Sequence, residues 1–152
     1  MPKPTKILVV EDEAAIRRLI RASLEPEGFE ITEEDTAEAG LEHLEAGGFD
    51  LLVLDLALPK MSGWDLLEEM KRTGLRNQVR VVILTARSVE EDILRGWRMG
   101  VDHYCMKPFA PHDFVSVVRF VLSAGESELQ RQREEELSKT QLLHMVDHIF
   151  DR

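Results

Sequence analysis

The sequence predicts an α/β chain: a five-stranded parallel sheet with helices on both faces. Two observations carry this expectation. Between residues 6 and 122, five short apolar runs alternate with five amphipathic helical patterns, and strict βαβα alternation calls for parallel strands joined by helical crossovers. Four of the five runs are also dense in Val, Ile and Leu, as strands covered on both faces must be.

The predicted strands are Lys6–Val10, Phe29–Thr32, Leu51–Leu54, Arg80–Leu84 and Tyr104–Met106. The second is followed by Glu33 and carries Glu30, so it reads as an edge strand. The predicted helices are Ala14–Leu24, Ala37–Leu44, Trp64–Arg72, Val89–Met99 and His112–Leu122. In the first, Ile16, Leu19, Ile20 and Leu24 recur at helical spacing. Gly28, Gly47-Gly48, Gly74 and Gly100 follow four of the helices, where a left-handed stop belongs. Ser62 and Ser88 are expected N-caps, and Ser88 with Glu91 fits a capping box.

The chain has 152 residues, 43% of them hydrophobic, which suffices for one packed domain. No apolar run approaches the roughly 18 residues of a membrane span, and Met1–Lys6 has no apolar leader segment. The single cysteine, Cys105, allows no internal disulfide, so a cytoplasmic protein is expected. Cys105 itself is read as a small buried hydrophobe. A formal net charge of −10 argues against a nucleic-acid backbone as ligand.

The first strand ends abruptly in Glu11-Asp12-Glu13. Carboxylates at the tip of a buried strand repel one another and lose hydration, so something must compensate them. In a sheet of this kind ligands sit outside the carboxyl ends of the strands. Those ends carry Glu11 and Asp12, then Asp55, then Thr85-Ala86, then Lys107-Pro108. Such a set suits a hard divalent cation, Mg2+ or Mn2+, held by carboxylates and a carbonyl. It also suits phosphoryl transfer. Asp55 can attack phosphorus, Lys107 can neutralise phosphoryl charge, Thr85 can donate to a phosphoryl oxygen, and Ala86 leaves room for the group.

The pieces "ILVVEDE", "DLLVLDLALPKMSGWDLL", "VVILTA" and "DHYCMKPF", in that order, resemble the receiver domain of two-component response regulators, of the chemotaxis-regulator type. The resemblance covers residues 5–124. It implies the flavodoxin-like (βα)5 fold with strand order 2-1-3-4-5, and a signalling module, not an enzyme acting on other substrates. It further implies that Asp55 is the phosphoacceptor, that Asp12, Asp55 and the carbonyl of Ala57 hold the metal, and that Glu11 assists through water. Lys107 and a cis Pro108 match the family, as do Pro59 and Gly63. Thr85 and Tyr104 look like its switch pair, moving the surface of helix four, strand five and helix five. The implied phosphodonor is a histidine kinase or phosphotransfer protein. Ala57 and Trp64 depart from the residues common in the family.

Two other classes compete. A flavodoxin-like cofactor binder needs a Gly-, Ser- or Thr-rich phosphate loop after the first strand, and "VVEDEAA" has none. An Asp-nucleophile phosphatase needs a second Asp two residues after the first, where this chain has Ala57. His144 and His148 stand one helical turn apart with no third metal ligand in sight. Trp97 and Met99 read as core.

Residues 125–152 form a separate charged segment with no Pro and no Gly after Gly125, predicted helical. Leu142, Met145, Val146 and Ile149 make an apolar stripe. Three arrangements are open for residues 126–152: an extension of the last helix that supports a homodimer, a linker to an output domain, or a helix folded back on its own domain. No membrane or nucleic-acid partner is expected.

Overall fold

The computed structural model describes residues 3–86 and 90–150. The strands are β1 (Lys6–Val10), β2 (Glu30–Glu34), β3 (Leu51–Asp55), β4 (Arg80–Thr85) and β5 (His103–Met106). The helices are α1 (Ala14–Leu24), α2 (Ala37–Ala46), α3 (Gly63–Thr73), α4 (Glu90–Arg98), α5 (Pro111–Ser123) and α6 (Glu126–Phe150). The strands form one parallel sheet in the order β2-β1-β3-β4-β5. No helix among the described residues is long and apolar enough to cross a membrane.

The period of two along each strand divides the core between the two faces. Leu8, Val10, Leu52, Leu54, Val81 and Ile83 pack with Leu44 of α2, Leu66, Leu67 and Met70 of α3, and Trp97 of α4. Ile7, Val9, Leu51, Val53, Val82, Leu84 and Cys105 pack with Ile20 and Leu24 of α1 and Phe114, Val118 and Val121 of α5. The same alternation decides where the polar residues at the strand ends point. Glu11, Asp55 and Lys107 continue the α1/α5 side, whereas Thr85 and Tyr104 belong to the α4 side.

The edge strand β2 starts one residue later and ends two residues later than its sequence pattern predicts. Its polar end is held from α1 and α2 instead of by apolar packing. Arg17 and Arg21 pair with Glu33, and His43 meets Glu34 at 3.0 Å. Ser62 caps α3 in a reciprocal box with Asp65. Gly63 is demanded by close approach, since a Cβ there would lie 2.6 Å from the Asp55 carbonyl oxygen. The expected Ser88 cap and the expected first residue of its helix, Val89, lie outside the described residues.

The last helix does not run on into the tail, contrary to one of the three arrangements considered. Ala124 leaves the helical region at ψ 143°. Arg80, at the start of β4, donates to the carbonyls of Val121 and Ala124, which would otherwise continue the helix. The chain turns there, and α6 packs on α4. Leu129 is fully buried, Leu137 packs against the α2–α4 core, and Arg133 reaches Asp102 at 2.7 Å. With 25 residues against nine, α6 is about 37 Å long and overhangs the ~13 Å of α4. Leu142, Leu143, Met145 and Ile149 on the overhang are each about 60% exposed.

Candidate functional site

Four strand ends build the site. β1 delivers Glu11 and Asp12, β3 delivers Asp55, β4 delivers Thr85 and β5 leads into Lys107. Register brings them level: Asp55 pairs with Leu84, and Thr85 pairs with Met106. The amide of Lys107 donates to the Thr85 carbonyl at 2.8 Å. The peptide bond Lys107–Pro108 is cis, and Pro108 itself is exposed.

Glu11 is fully buried, Asp55 is 4% exposed and Asp12 is exposed. One oxygen from each of the three lies within 4.8 Å of the others. Lys107 Nζ sits 2.7 Å from Glu11 Oε2 and 3.2 Å from Asp55 Oδ2. Glu13 is a more distant neighbour of that ammonium at 3.8 Å and is largely exposed. The Ala57 amide donates to Asp55 Oδ1 at 3.1 Å, and Ala57 is exposed in the loop beyond β3. Thr85 is buried and Ala86 exposed beside it.

The electrostatics are unbalanced. Burial pushes the Glu11 carboxyl up to about 7, with the Asp55 charge adding to the rise and Lys107 opposing it. Lys107 is the ion partner of Glu11 Oε2 at 2.7 Å, off the alignment of a good hydrogen bond, and it shares its charge with Asp55. Burial works against the charge on Lys107, but Glu11 and Asp55 outweigh it and raise its pKa. Lys107 has Glu11, Asp55 and Glu13 within 4 Å, and Asp12 stands beside them, so acids outnumber the cation.

Those features fit a hard divalent cation. The donors are oxygens, the surplus of negative charge favours a dication, and a buried carboxylate there shares its one cation with a second acid. Glu11, Asp12 and Asp55 are the acidic cluster of the described residues that can hold one.

Tyr104 lies away from this cluster, half-buried under α4. Its hydroxyl donates to the carbonyls of Asp92 and Ile93 at 3.1 and 3.4 Å, and its ring meets Trp97 edge-on with centroids 5.4 Å apart. Burial, and then the Asp92 charge, raise the phenol's pKa. Cys105 is buried and burial raises its thiol to about 11, as suits a packing residue. His144 and His148 face each other on the exposed part of α6 with Nε2 atoms 3.1 Å apart.

Sequence reasoning missed a second charged cluster at the opposite end of the sheet. Asp102, just before β5, is 2% exposed. It accepts from Arg76 at 2.9 Å, Arg133 at 2.7 Å and the Val81 amide at 2.8 Å. A cleft of about 360 Å³ lies beside it, between the end of α4 and the start of α6. Arg133 stands midway between Leu129 and Leu137 at steps of four, a mixed face that a purely apolar seven-residue pattern does not detect.

Comparison with known proteins agrees with the geometry. Residues 7–119 match the family described as the response regulator receiver domain. The Phosphate regulon transcriptional regulatory protein PhoB of Escherichia coli (strain K12) is 39% identical over 117 residues, 77% of this chain and 51% of that protein. The Sensory transduction protein RegX3 of Mycobacterium tuberculosis (strain ATCC 25618 / H37Rv) is 36% identical over 121 residues, 80% of this chain and 52% of that protein. The chain thus spans about half the length of these curated relatives. Among solved structures, the CheY-like response regulator receiver domain protein of Methanospirillum hungatei JF-1 superposes with a TM-score of 0.73 at 31% identity, covering 88% of this chain and 99% of that one. This chain belongs to the response regulator receiver domain family, the phosphorylation-controlled modules of two-component signalling.

Proposed function

We propose that Asp55 is the phosphoacceptor and that the chain takes its phosphoryl group from a histidine kinase or phosphotransfer protein. The observation that carries this reading is the placement of Asp55. It is a buried carboxylate at the end of a central strand, 3.2 Å from an ammonium and beside two further acids. A carboxylate oxygen of Asp55 attacks phosphorus, the bond from phosphorus to the donor's imidazole nitrogen breaks, and that nitrogen keeps the electron pair. Asp12, Asp55 and the carbonyl of Ala57 would hold Mg2+ or Mn2+, with Glu11 assisting. When bound, the ion neutralises phosphoryl charge.

Lys107 then turns from its two carboxylates toward the phosphoryl oxygens, Thr85 donates to one of them, and exposed Ala86 keeps the entrance open. The movement of Thr85 passes to Tyr104 and so to the surface of α4, β5 and α5. The receiver unit is residues 5–124, and residues 125–152 are its helical extension. The protein functions in the cytoplasm. It supports its own phosphorylation and dephosphorylation and turns over no other substrate. We further infer a modest homodimer through the exposed stripe at Leu142, Met145, Val146 and Ile149, because each such side chain gains about 1.5–3 kcal/mol on burial. Sedimentation over a concentration series that finds monomer throughout would remove that part.

Intact-mass analysis tests the main reading. After incubation with a small phosphodonor and Mg2+, wild type should gain one phosphoryl group and Asp55→Ala none. Equal labelling of the two would refute it.

A further inference from the structure

Gly96 poses a physical question. It sits inside the nine-residue α4, where glycine is less favourable than alanine, and its φ lies outside the left-handed region that would favour glycine. Space supplies the reason. A Cβ on Gly96 would stand 1.4 Å from the Tyr104 hydroxyl oxygen, 2.5 Å from Cζ and 3.1 Å from Cε2. The bare α-carbon is therefore the floor of a socket for the phenol. Asp92 and Ile93, one turn earlier, supply the carbonyls that accept from the hydroxyl, and Trp97 supplies a wall.

The socket works only while α4 stays against the sheet, and α6 packs on α4. Leu137 joins the core cluster that contains Trp97 and borders Tyr104. Arg133 anchors α6 to Asp102, two residues before Tyr104.

We propose that Gly96 is the positioning residue of Tyr104, and that α6, packed on α4, is the clamp that keeps this socket closed around the ring. The proposal deepens the reading of Thr85 and Tyr104 as a switch and rests on it for its signalling consequence. The direction of the tyrosine would be set by a glycine beneath it and a helix above it, so α6 docking and the seated ring favour each other.

The chain contains one tyrosine, so ring-13C-tyrosine labelling of the full chain gives NMR signals from Tyr104 alone. In wild type these signals should be displaced from solvent-exposed tyrosine values by the Trp97 ring. Gly96→Ala should move them to exposed values. A double variant, Arg133→Ala with Leu137→Asp, should loosen α6 and move or broaden them in the same direction, while Asp102 keeps Arg76. Unchanged signals in Gly96→Ala would overturn the socket, and unchanged signals in the double variant would overturn the clamp. Gly96→Ala in a Tyr104→Leu background controls for folding and should melt no lower than Tyr104→Leu alone. A lower melt there would mean that Gly96 serves another neighbour, and would also overturn the socket. Adding phosphodonor and Mg2+ separates the two levels. If Asp55 gains its phosphoryl group while the wild-type ring signals stay fixed, the switch reading falls and the socket stands.

Discussion

Each end of the sheet buries a carboxylate, and the two are treated in opposite ways. At the carboxyl ends, Glu11 is fully buried with a single ammonium that it shares with Asp55, and its pKa is pushed up to about 7. At the amino ends, Asp102 is 2% exposed yet receives two guanidinium groups and a backbone amide. Equal burial with unequal satisfaction distinguishes a group kept ready for a partner from one that holds the fold together. The first end has its acids in surplus over cations. The second has two cations around one acid, and one of them, Arg133, belongs to the helix that the cluster fastens down.

The largest effect should come from breaking the Asp102 end. Asp102→Ala leaves the largely covered Arg76 without its counter-charge, and removing one partner of a buried pair costs up to about 3–5 kcal/mol. Urea unfolding should show that loss, and amide exchange should show α6 losing protection first. A loss under 1 kcal/mol would mean that the cluster is not structural.

The Glu11 end should respond with the opposite sign. Folding raises the Glu11 pKa from 4.5 to about 7, so the folded state prefers the protonated carboxyl. That preference is fully present below pH 4.5 and is lost as pH rises through about 7. Metal-free wild type should therefore lose stability from this group across that window. Glu11→Gln should abolish the loss and be more stable at pH 8 by about 3 kcal/mol. If Glu11→Gln is the less stable protein at pH 8 without metal, Lys107 compensates Glu11 more fully than the geometry implies.

Mg2+ should reduce the difference between the ends. A ligand that binds only the folded state adds about 2.7 kcal/mol at 100-fold excess over Kd, and the rise in melting temperature should be larger at pH 8 than at pH 6. Asp12→Asn should shrink it. Arg133→Ala, at the far end, should leave it unchanged. A melt that does not move between chelator and Mg2+ at matched ionic strength would count against the cation.

The contrast also marks what the sequence makes legible. Strand ends in a parallel sheet converge by topology, so Glu11, Asp12, Asp55, Thr85 and Lys107 can be brought together from the order of apolar runs alone. Helix stops are equally legible, because Gly28, Gly47, Gly74 and Gly100 all adopt positive φ. The β2 boundary is not legible, because Glu33 and Glu34 are strand residues through their pairing with Arg17, Arg21 and His43, not through their own propensity. The docking of α6 was hidden for the same reason. It depends on a buried ion pair with Asp102 and on two leucines eight residues apart, and neither makes an apolar period. Tyr104 could be placed on its strand from sequence, but its socket depends on a close approach to Gly96 that only packing reveals.

The most direct test of the contrast is to locate the phosphoryl group chemically. An aspartyl phosphate is an acyl phosphate, and borohydride reduces it to homoserine, which peptide mass spectrometry can place at a single residue. After incubation with a small phosphodonor and Mg2+, the account predicts homoserine at position 55 in wild type and in Arg133→Ala alike, and at no other acidic residue. Homoserine at Asp12 or at the far-end Asp102, or 5-hydroxynorvaline at Glu11, with Asp55 unmodified, would contradict it.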